Sequence, residues 1–559
     1  MGTDGWTRSR AIPLCALQVA LSCAFACVGT AENHGAGGAP NHAGGAATGG
    51  QLSAGGSAPS AGMSAGGASA GQPSSVATGG QDDGPSAGAA AGGASGGSDG
   101  SAGAGGSGPR PPVSAMPGAK LVKLNPALRQ QTFEGWGTSL CWWANNVGGW
   151  ATDKRNALVD LVADPVSGLG YNVFRYNIGG GENPTHTHMG AFRDMPGFES
   201  ENGTFDWNVD ANQRAVLLRL AARGTDLIFE AFSNSPPYWM TSSGCASGNT
   251  DGSNNLEANS YDAFADYLVQ VVKHYRDAFG VTFRTLEPLN EPNASWWKAN
   301  GGQEGCHFSP ANQQTIIKAV SAALQTNGVT GVQVSASDEN SMDDAYDNIR
   351  AFDANTIDAM AQINVHSYAG SRRAELRNLA TSKGKRLWQS ESGPLSVTLD
   401  GETDAALFMA GRIISDLKDL QPEAWIDWQV ADPDHNWASF AVNNSKQSFT
   451  LLKRFYMHAG FSRYIRPGAT FIRVDNPDMV AAQAADGSQV TLVVRNGGSA
   501  AATFTFDLTA LDTVGAAVDV HRTSSTENLA QLTAIPIVSY GFSATVPANS
   551  VTTLVIPAH

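Results

Sequence analysis

Cysteine and positive charge are both scarce in this chain. It has 559 residues and six cysteines, and three of these, Cys15, Cys23 and Cys27, sit in the first thirty positions. Only Cys141, Cys245 and Cys306 remain beyond them. An odd number of thiols in an exported protein permits at most one bridge and leaves one thiol free. Cys245 (Ser-Gly-Cys-Ala-Ser-Gly) and Cys306 (Gly-Gly-Gln-Glu-Gly-Cys) both lie in glycine-rich loops after successive strand candidates, so they are the expected disulfide. Cys141, between Leu140 and Trp142, reads as a small buried apolar residue. Lys and Arg number 35 against 50 Asp and Glu, for a net charge of -15. That balance argues against nucleic-acid binding, which needs a basic surface, and suits a neutral substrate. There is no glycine-rich phosphate loop between a strand and a helix, which removes the support for an open doubly wound sheet.

The N-terminal part has little to bury. Arg8 and Arg10 precede an uncharged stretch from Ala11 to Thr30, the pattern of a secretory signal over residues 1–30. A membrane anchor is the alternative, weakened by Pro13, Gln18 and marginal length. Cys23 and Cys27 follow small residues, as a lipoprotein cysteine would, although neither has the preferred leucine three positions upstream. Residues 31–117 are Gly, Ala and Ser with scattered Pro, and their only charges are Glu32, Asp82, Asp83, Asp99 and Arg110. Such a segment is expected to be a disordered linker. As a flexible coil it would span roughly 50 Å, enough to tether a catalytic head at a cell surface.

What is present starts near residue 131. Short β-rich apolar runs alternate with amphipathic stretches of helical length. The strand candidates are 133–140, 171–176, 226–232, 283–290, 332–336, 363–368, 385–390 and 424–429. Helices are expected over 153–162, 211–223, 261–279, 312–325, 404–420 and 449–459. Eight βα repeats predict an α/β chain with a (β/α)8 TIM barrel over residues 118–462. After Arg466-Pro467-Gly468 the helical period stops. Short β runs with turns at Asp486-Gly487 and Asn496-Gly497 predict a β-sandwich over 463–559. The apolar run Lys120–Leu124 is expected to pair into that sandwich.

Two strings carry the chemistry. Leu289-Asn290-Glu291-Pro292 ends the fourth barrel strand, and Trp388-Gln389-Ser390-Glu391-Ser392-Gly393 ends the seventh. Two carboxyls converging from strand ends are what a glycosidase needs. Glu291 is the expected acid/base, Glu391 the expected nucleophile, and Asn290 the partner of a sugar 2-hydroxyl. Trp136, Trp239 and Trp428, at or beyond strands one, three and eight, are candidates for sugar stacking. Trp296 and Trp297 follow the acid/base in its loop, where Trp297 is a further substrate-binding candidate. Glu287 reads as a buried structural carboxylate paired with a cation. His186 and His188 (Thr-His-Thr-His) look like metal ligands, but with no nearby carboxylate or cysteine cluster neither a metal nor a cofactor is expected. Substrate contact is the preferred reading for that loop, with Glu182 bonding sugar hydroxyls.

The blocks Phe133-Glu134-Gly135-Trp136-Gly137-Thr138-Ser139-Leu140-Cys141-Trp142-Trp143-Ala144 and Arg175-Tyr176-Asn177-Ile178-Gly179-Gly180-Gly181-Glu182-Asn183 extend this pattern. So do Ser235-Pro236-Pro237-Tyr238-Trp239-Met240, Asn290-Glu291-Pro292-Asn293, Asn364-Val365-His366-Ser367-Tyr368 and Ser390-Glu391. Together they resemble glycoside hydrolase family 30, in the clan of retaining (β/α)8 glycosidases, and within it the endo-β-1,6-galactanase group. The resemblance covers about residues 118–559. It implies that Arg175 holds the nucleophile ionised, that Tyr368 donates to Glu391, and that His366 stands beside the pair. It implies a retaining endo-hydrolase of β-1,6-linked galactan, with the polysaccharide as its partner; a monomer is expected. A β-1,6-glucanase, xylanase or glucosidase of the same family stays open as an alternative, as does a catalytically silent carbohydrate-binding protein. The acidic limb of the pH profile is expected from Glu391 and the basic limb from a raised Glu291.

Overall fold

The computed structural model describes residues 110–224, 226–394 and 399–558. The expected signal, its cysteines and most of the linker lie outside the described residues. The last stretch of the expected linker, 110–117, differs from the expectation. Arg110 donates to the carbonyls of Thr509 (2.8 Å), Leu511 and Asp512 and stacks on Tyr540, and the amide of Met116 donates to Thr505 Oγ1. One cation with several carbonyl acceptors anchors an otherwise featureless segment.

Strand β1 (Lys120–Thr132) comes first. Then eight parallel strands close into a barrel in chain order: β2 (Gly135–Ser139), β3 (Val173–Asn177), β4 (Ile228–Phe232), β5 (Thr285–Glu287), β6 (Gln333–Ser341), β7 (Met360–Ala369), β8 (Arg386–Glu391) and β9 (Ala424–Asp427). Each lies on one of the eight runs picked out by hydrophobicity. The longer intervening helices cover the barrel with an apolar stripe. In Tyr261–Phe279 the residues Phe264, Leu268, Val271, Val272 and Tyr275 are buried, and Gly280 at φ 69° ends the helix in the left-handed region. Pro310–Thr326 starts from Ser309, whose hydroxyl accepts the Asn312 amide.

Three short strands, β10 (Ala431–Asp432), β11 (Phe440–Asn443) and β12 (Ser448–Leu451), form a small sheet beyond β9. This corrects the helix expected over 449–459, which starts only at Lys453 and runs to Ser462. Helices Met342–Ala351, Ala354–Ala359 and Arg373–Lys383 were not anticipated.

The C-terminal strands are β13 (Thr470–Val474), β14 (Met479–Gln483), β15 (Gln489–Asn496), β16 (Ala502–Asp507), β17 (Ala517–Thr523), β18 (Ala530–Pro536), β19 (Gly541–Val546) and β20 (Ser550–Pro557). Their order is β18-β17-β20-β15-β14-β13-β1-β16-β19. As expected, β1 joins them. Lys120–Lys123 runs parallel to β16, and from Leu124 the strand turns antiparallel to β13. Val122, Leu124, Leu492, Phe506 and Leu554 share the apolar core that results. A second apolar contact joins these strands to the barrel, where Phe133 meets Phe471 edge-on at 5.5 Å.

Candidate active site

The barrel interior is polar at its centre. Glu230, on β4, accepts from Arg175 Nε (2.8 Å), Thr285 (2.6 Å), Ser335 (3.0 Å), Gln362 (3.0 Å) and Asn364 (2.9 Å), so one carboxylate is bonded by side chains of β3, β5, β6 and β7. Inward-pointing residues of neighbouring strands meet on the barrel axis, and a buried charge there needs every lone pair satisfied. Arg175 also donates to Asp338 Oδ2 at 2.6 Å and to the Ser390 carbonyl at 3.1 Å. Burial opposes the Arg175 charge, but Asp338, Glu230 and Glu391 outweigh it and push its pKa up. Burial likewise opposes the charge on Asp338, and Arg175 and His366 overcome it to hold the carboxyl well below the usual range.

Glu291 and Glu391 stand above this layer. One carboxylate oxygen of each, and one nitrogen of His366, lie within 4.8 Å of one another. Carboxyl pairs about 5–5.5 Å apart perform displacement with retention, whereas about 6.5–9.5 Å is needed to admit a water for inversion. Glu291 adopts φ 46°, a left-handed conformation that a non-glycine residue holds only under constraint. The constraint is visible: its amide donates to the Asp338 carbonyl (2.8 Å), and its carbonyl accepts from Ala294 N and Trp297 Nε1, both at 3.0 Å. Its Oε1 accepts from Asn340 at 2.6 Å and faces His366 Nδ1 at 3.3 Å. Glu391 accepts from Tyr368 at 3.0 Å on Oε1. Its Oε2 faces His366 Nε2 at 3.6 Å and Arg175 Nη1 at 3.9 Å. Burial pushes Glu391 up to about 8 against the pull of His366, with Glu291 and Asp338 adding to the rise. Burial disfavours the imidazolium of His366, but Glu391 and Asp338 override it and lift the group to about 10. The result is a cation held among three carboxyls.

Asn290 is buried, and its Oδ1 has no hydrogen-bond partner among the described residues. A buried amide oxygen without a partner at the foot of the acid/base loop is what a ligand hydroxyl would satisfy. Trp428 packs edge-on against Trp142 at 5.2 Å within a cluster that includes Cys141, Met195 and Phe232, and its amide donates to the Ser392 carbonyl at 2.8 Å. Trp437, not anticipated, lies 6.5 Å from the Tyr368 ring. Trp239 is half-buried and spends its indole N–H on the Glu199 carbonyl.

Several expected site residues lie elsewhere. Trp136 is core: it is 1% exposed, donates to the Ile465 carbonyl at 2.8 Å and packs on Phe133, Trp425 and Phe461. It sits near the start of β2, the end opposite to the carboxyl pair. Trp297 is buried and holds the Glu291 carbonyl rather than facing a sugar. Glu182 is occupied internally, accepting from the amides of Asn183 (2.7 Å) and Ala246 (2.9 Å) and contacting both His186 and His188. Glu287 is buried as expected, but its contacts are Asn364 and the Leu289 amide rather than a cation. Burial, with Asp338 and Glu230, pushes its pKa well up. The expected Cys245–Cys306 bridge is not formed. Cys245 Sγ faces His186 Nδ1 at 3.4 Å, while Cys306 Sγ lies 3.7 Å from the His307 carbonyl in the apolar core.

Residues 119–385 match the model of O-glycosyl hydrolase family 30. The chain is 34% identical over 417 residues to the endo-β-1,6-galactanase of Hypocrea rufa, an alignment covering 70% of this chain and 84% of that one. The chain belongs to glycoside hydrolase family 30. An exo-β-1,6-galactobiohydrolase of Bifidobacterium longum is 27% identical over 415 residues, covering 55% of this chain and 27% of the relative. Among solved structures, a conserved exported protein of Bacteroides fragilis superposes with a TM-score of 0.68 at 20% identity, covering 78% of this glycosidase and all of that chain. The family is that expected from the sequence, and the enzyme is a glycoside hydrolase.

Proposed function

We propose that the enzyme cleaves within β-1,6-linked galactan, such as arabinogalactan side chains, by double displacement. The observation that carries this reading is the 34% identity to an endo-β-1,6-galactanase across most of both chains. In this reading Glu291 protonates the glycosidic oxygen while Glu391 attacks the anomeric carbon and forms a glycosyl ester. Glu291, now ionised, then takes a proton from the water that hydrolyses the ester. Arg175, His366 and Tyr368 stabilise the charge that returns to Glu391 as the ester breaks. Asn290 offers its free oxygen to the 2-hydroxyl, a contact that strengthens as the oxocarbenium character develops.

Galactose and glucose differ in the orientation of one hydroxyl, so the choice between galactan and glucan rests on whether one buried polar contact is made or left unpaired. The test is a product assay on debranched β-1,6-galactan beside β-1,6-glucan and xylan, with wild type and Glu391→Ala. Galactan oligomers of several lengths from the wild type alone support the reading, and a single disaccharide product would replace endo with exo action. Turnover of only another glycan would overturn the substrate.

We further propose that the enzyme is an exported monomer held on a surface tether. The leader-like first thirty residues and the Gly/Ala/Ser tract support this, with lipid on Cys23 or Cys27. Metabolic labelling with a fatty-acid analogue that leaves the protein unlabelled would remove the lipid anchor.

A further inference from the structure

The geometry points to a metal-binding site outside the catalytic pair, in which Glu182, His186, His188 and Cys245 bind one zinc-type divalent cation. One donor atom from each of the four lies within 4.8 Å of all the others. Glu182 Oε1 is 3.0 Å from His186 Nδ1, Glu182 Oε2 is 3.6 Å from His188 Nε2, and Cys245 Sγ is 3.4 Å from His186 Nδ1. Zinc binds nitrogen and oxygen at about 2.0–2.2 Å and sulfur at about 2.3 Å, so the edges of its tetrahedron are about 3.3–3.7 Å. The observed separations are already close to those edges. The carboxylate, imidazole and thiolate set matches a borderline-soft ion and fits poorly to calcium or magnesium, which take oxygen ligands.

The surroundings orient the donors as a metal site requires. His188 Nδ1 lies 2.6 Å from the Gly301 carbonyl, an acceptor only, so Nδ1 carries the proton and Nε2 offers its lone pair. That Nε2 is buried with no hydrogen-bond partner among the described residues and faces Glu182. A ring fixed through its other nitrogen by a backbone carbonyl is the usual outer support of a metal-bound histidine. Glu182 is aimed by the amides of Asn183 and Ala246, and Gly181, at φ 70°, turns the chain into it where a side chain would approach the Gly197 amide to 2.9 Å. Four protein ligands complete a tetrahedron and leave no open position, so the ion is structural. It clamps the loop after β3, which carries Glu182, His186 and His188, to the loop after β4, which carries Cys245. The sequence pattern Glu-x3-His-x-His concealed the site, because its cysteine lies 57 residues beyond His188 (245 − 188) on another loop.

The test is cobalt and zinc titration of the full chain after removal of metals by a chelator. The stripped wild type is expected to bind one equivalent of cobalt with tetrahedral-intensity visible bands and a thiolate-to-cobalt charge-transfer band, both abolished by zinc. Cys245→Ser should lose the charge-transfer band, and Cys245→Ser and His188→Gln should each weaken cobalt binding at least about tenfold. Zinc at a fixed concentration should raise the unfolding temperature of the wild type by more than that of His188→Gln. A stripped wild type that takes up no stoichiometric cobalt, or gives only weak octahedral bands, overturns the proposal without recourse to any variant. Unaltered affinity in both variants overturns it equally.

Discussion

Asn340 donates its side-chain amide to Oε1 of Glu291 at 2.6 Å. The same oxygen faces His366 Nδ1. Two donors on one oxygen leave Oε2 as the atom that carries the acid proton toward a leaving group. Asn340→Ala should therefore lower kcat/KM on β-1,6-galactan by about 10–100-fold, the worth of one hydrogen bond to a charged group. An activated aryl β-galactoside, whose leaving group needs no proton, should lose far less. Equal losses on both substrates would mean that Asn340 positions something other than the acid.

The charge arrangement around His366 makes a signed prediction about pH. A nucleophile must be ionised, so activity falls as pH drops through its folded value. Burial pushes Glu391 up to about 8, which sets the acidic limb of kcat/KM above the ordinary carboxylate range of about 4. With an activated substrate, Glu291→Gln removes a like charge and should move the limb to lower pH. His366→Gln removes the cation that favours ionised Glu391 and should move it to higher pH. Profiles in which neither variant shifts the limb would show that another group titrates there.

The barrel was legible because its strands lie on short β-rich runs spaced between helical stretches, and the carboxyl pair because each glutamate closes such a run. Tyr368 and His366 followed from strand alternation once the family resemblance was seen. Asp338, Asn340 and Glu230 were not legible. Glu230 is a single polar residue in an apolar strand, Asp338 and Asn340 lie in the polar second half of β6, and what makes each functional is a partner tens of residues away in the chain. A charged residue inside Ile228-Phe229-Glu230-Ala231-Phe232 was the available signal, since a buried strand tolerates one only when it is paired. Helix Arg373–Lys383 escaped because only Leu376 and Ala380 are buried, too few to form a stripe. The disulfide expectation failed because two loops can be alike in composition while their thiols point to different neighbours.

Trp136 and Trp428 separate packing from binding. Both are tryptophans on or beside barrel strands, but Trp136 fills the core at the start of β2 while Trp428 lies in the aromatic cluster beside Glu391. Trp136→Ala should cost about 3–5 kcal/mol of stability, measured by denaturant unfolding, with KM of the surviving folded enzyme little changed. Trp428→Ala should raise KM for galactan oligomers several-fold. A KM effect at position 136 without loss of stability would return that residue to the substrate site.

Arg175 is buried with Glu230 and Asp338, and its removal takes the guanidinium from both carboxylates and leaves Asp338 with His366 alone as a cationic partner. Arg175→Met should destabilise the fold by about 3–5 kcal/mol near neutral pH, chiefly through that uncompensated charge. The sign of its pH dependence follows from Asp338. In the wild type its pKa is held low, with Arg175 the main attraction and His366 the next, so it contributes stability above the ordinary Asp value of about 3.9 and loses it as pH falls through the depressed value. Without the arginine that depression is weakened, and the buried carboxyls can relieve the penalty by taking up protons. The gap in unfolding free energy between variant and wild type should therefore narrow from pH 7 toward pH 4. A gap independent of pH would assign the loss to packing of the long side chain against Phe232, whose ring lies 4.3 Å beneath the guanidinium, rather than to charge.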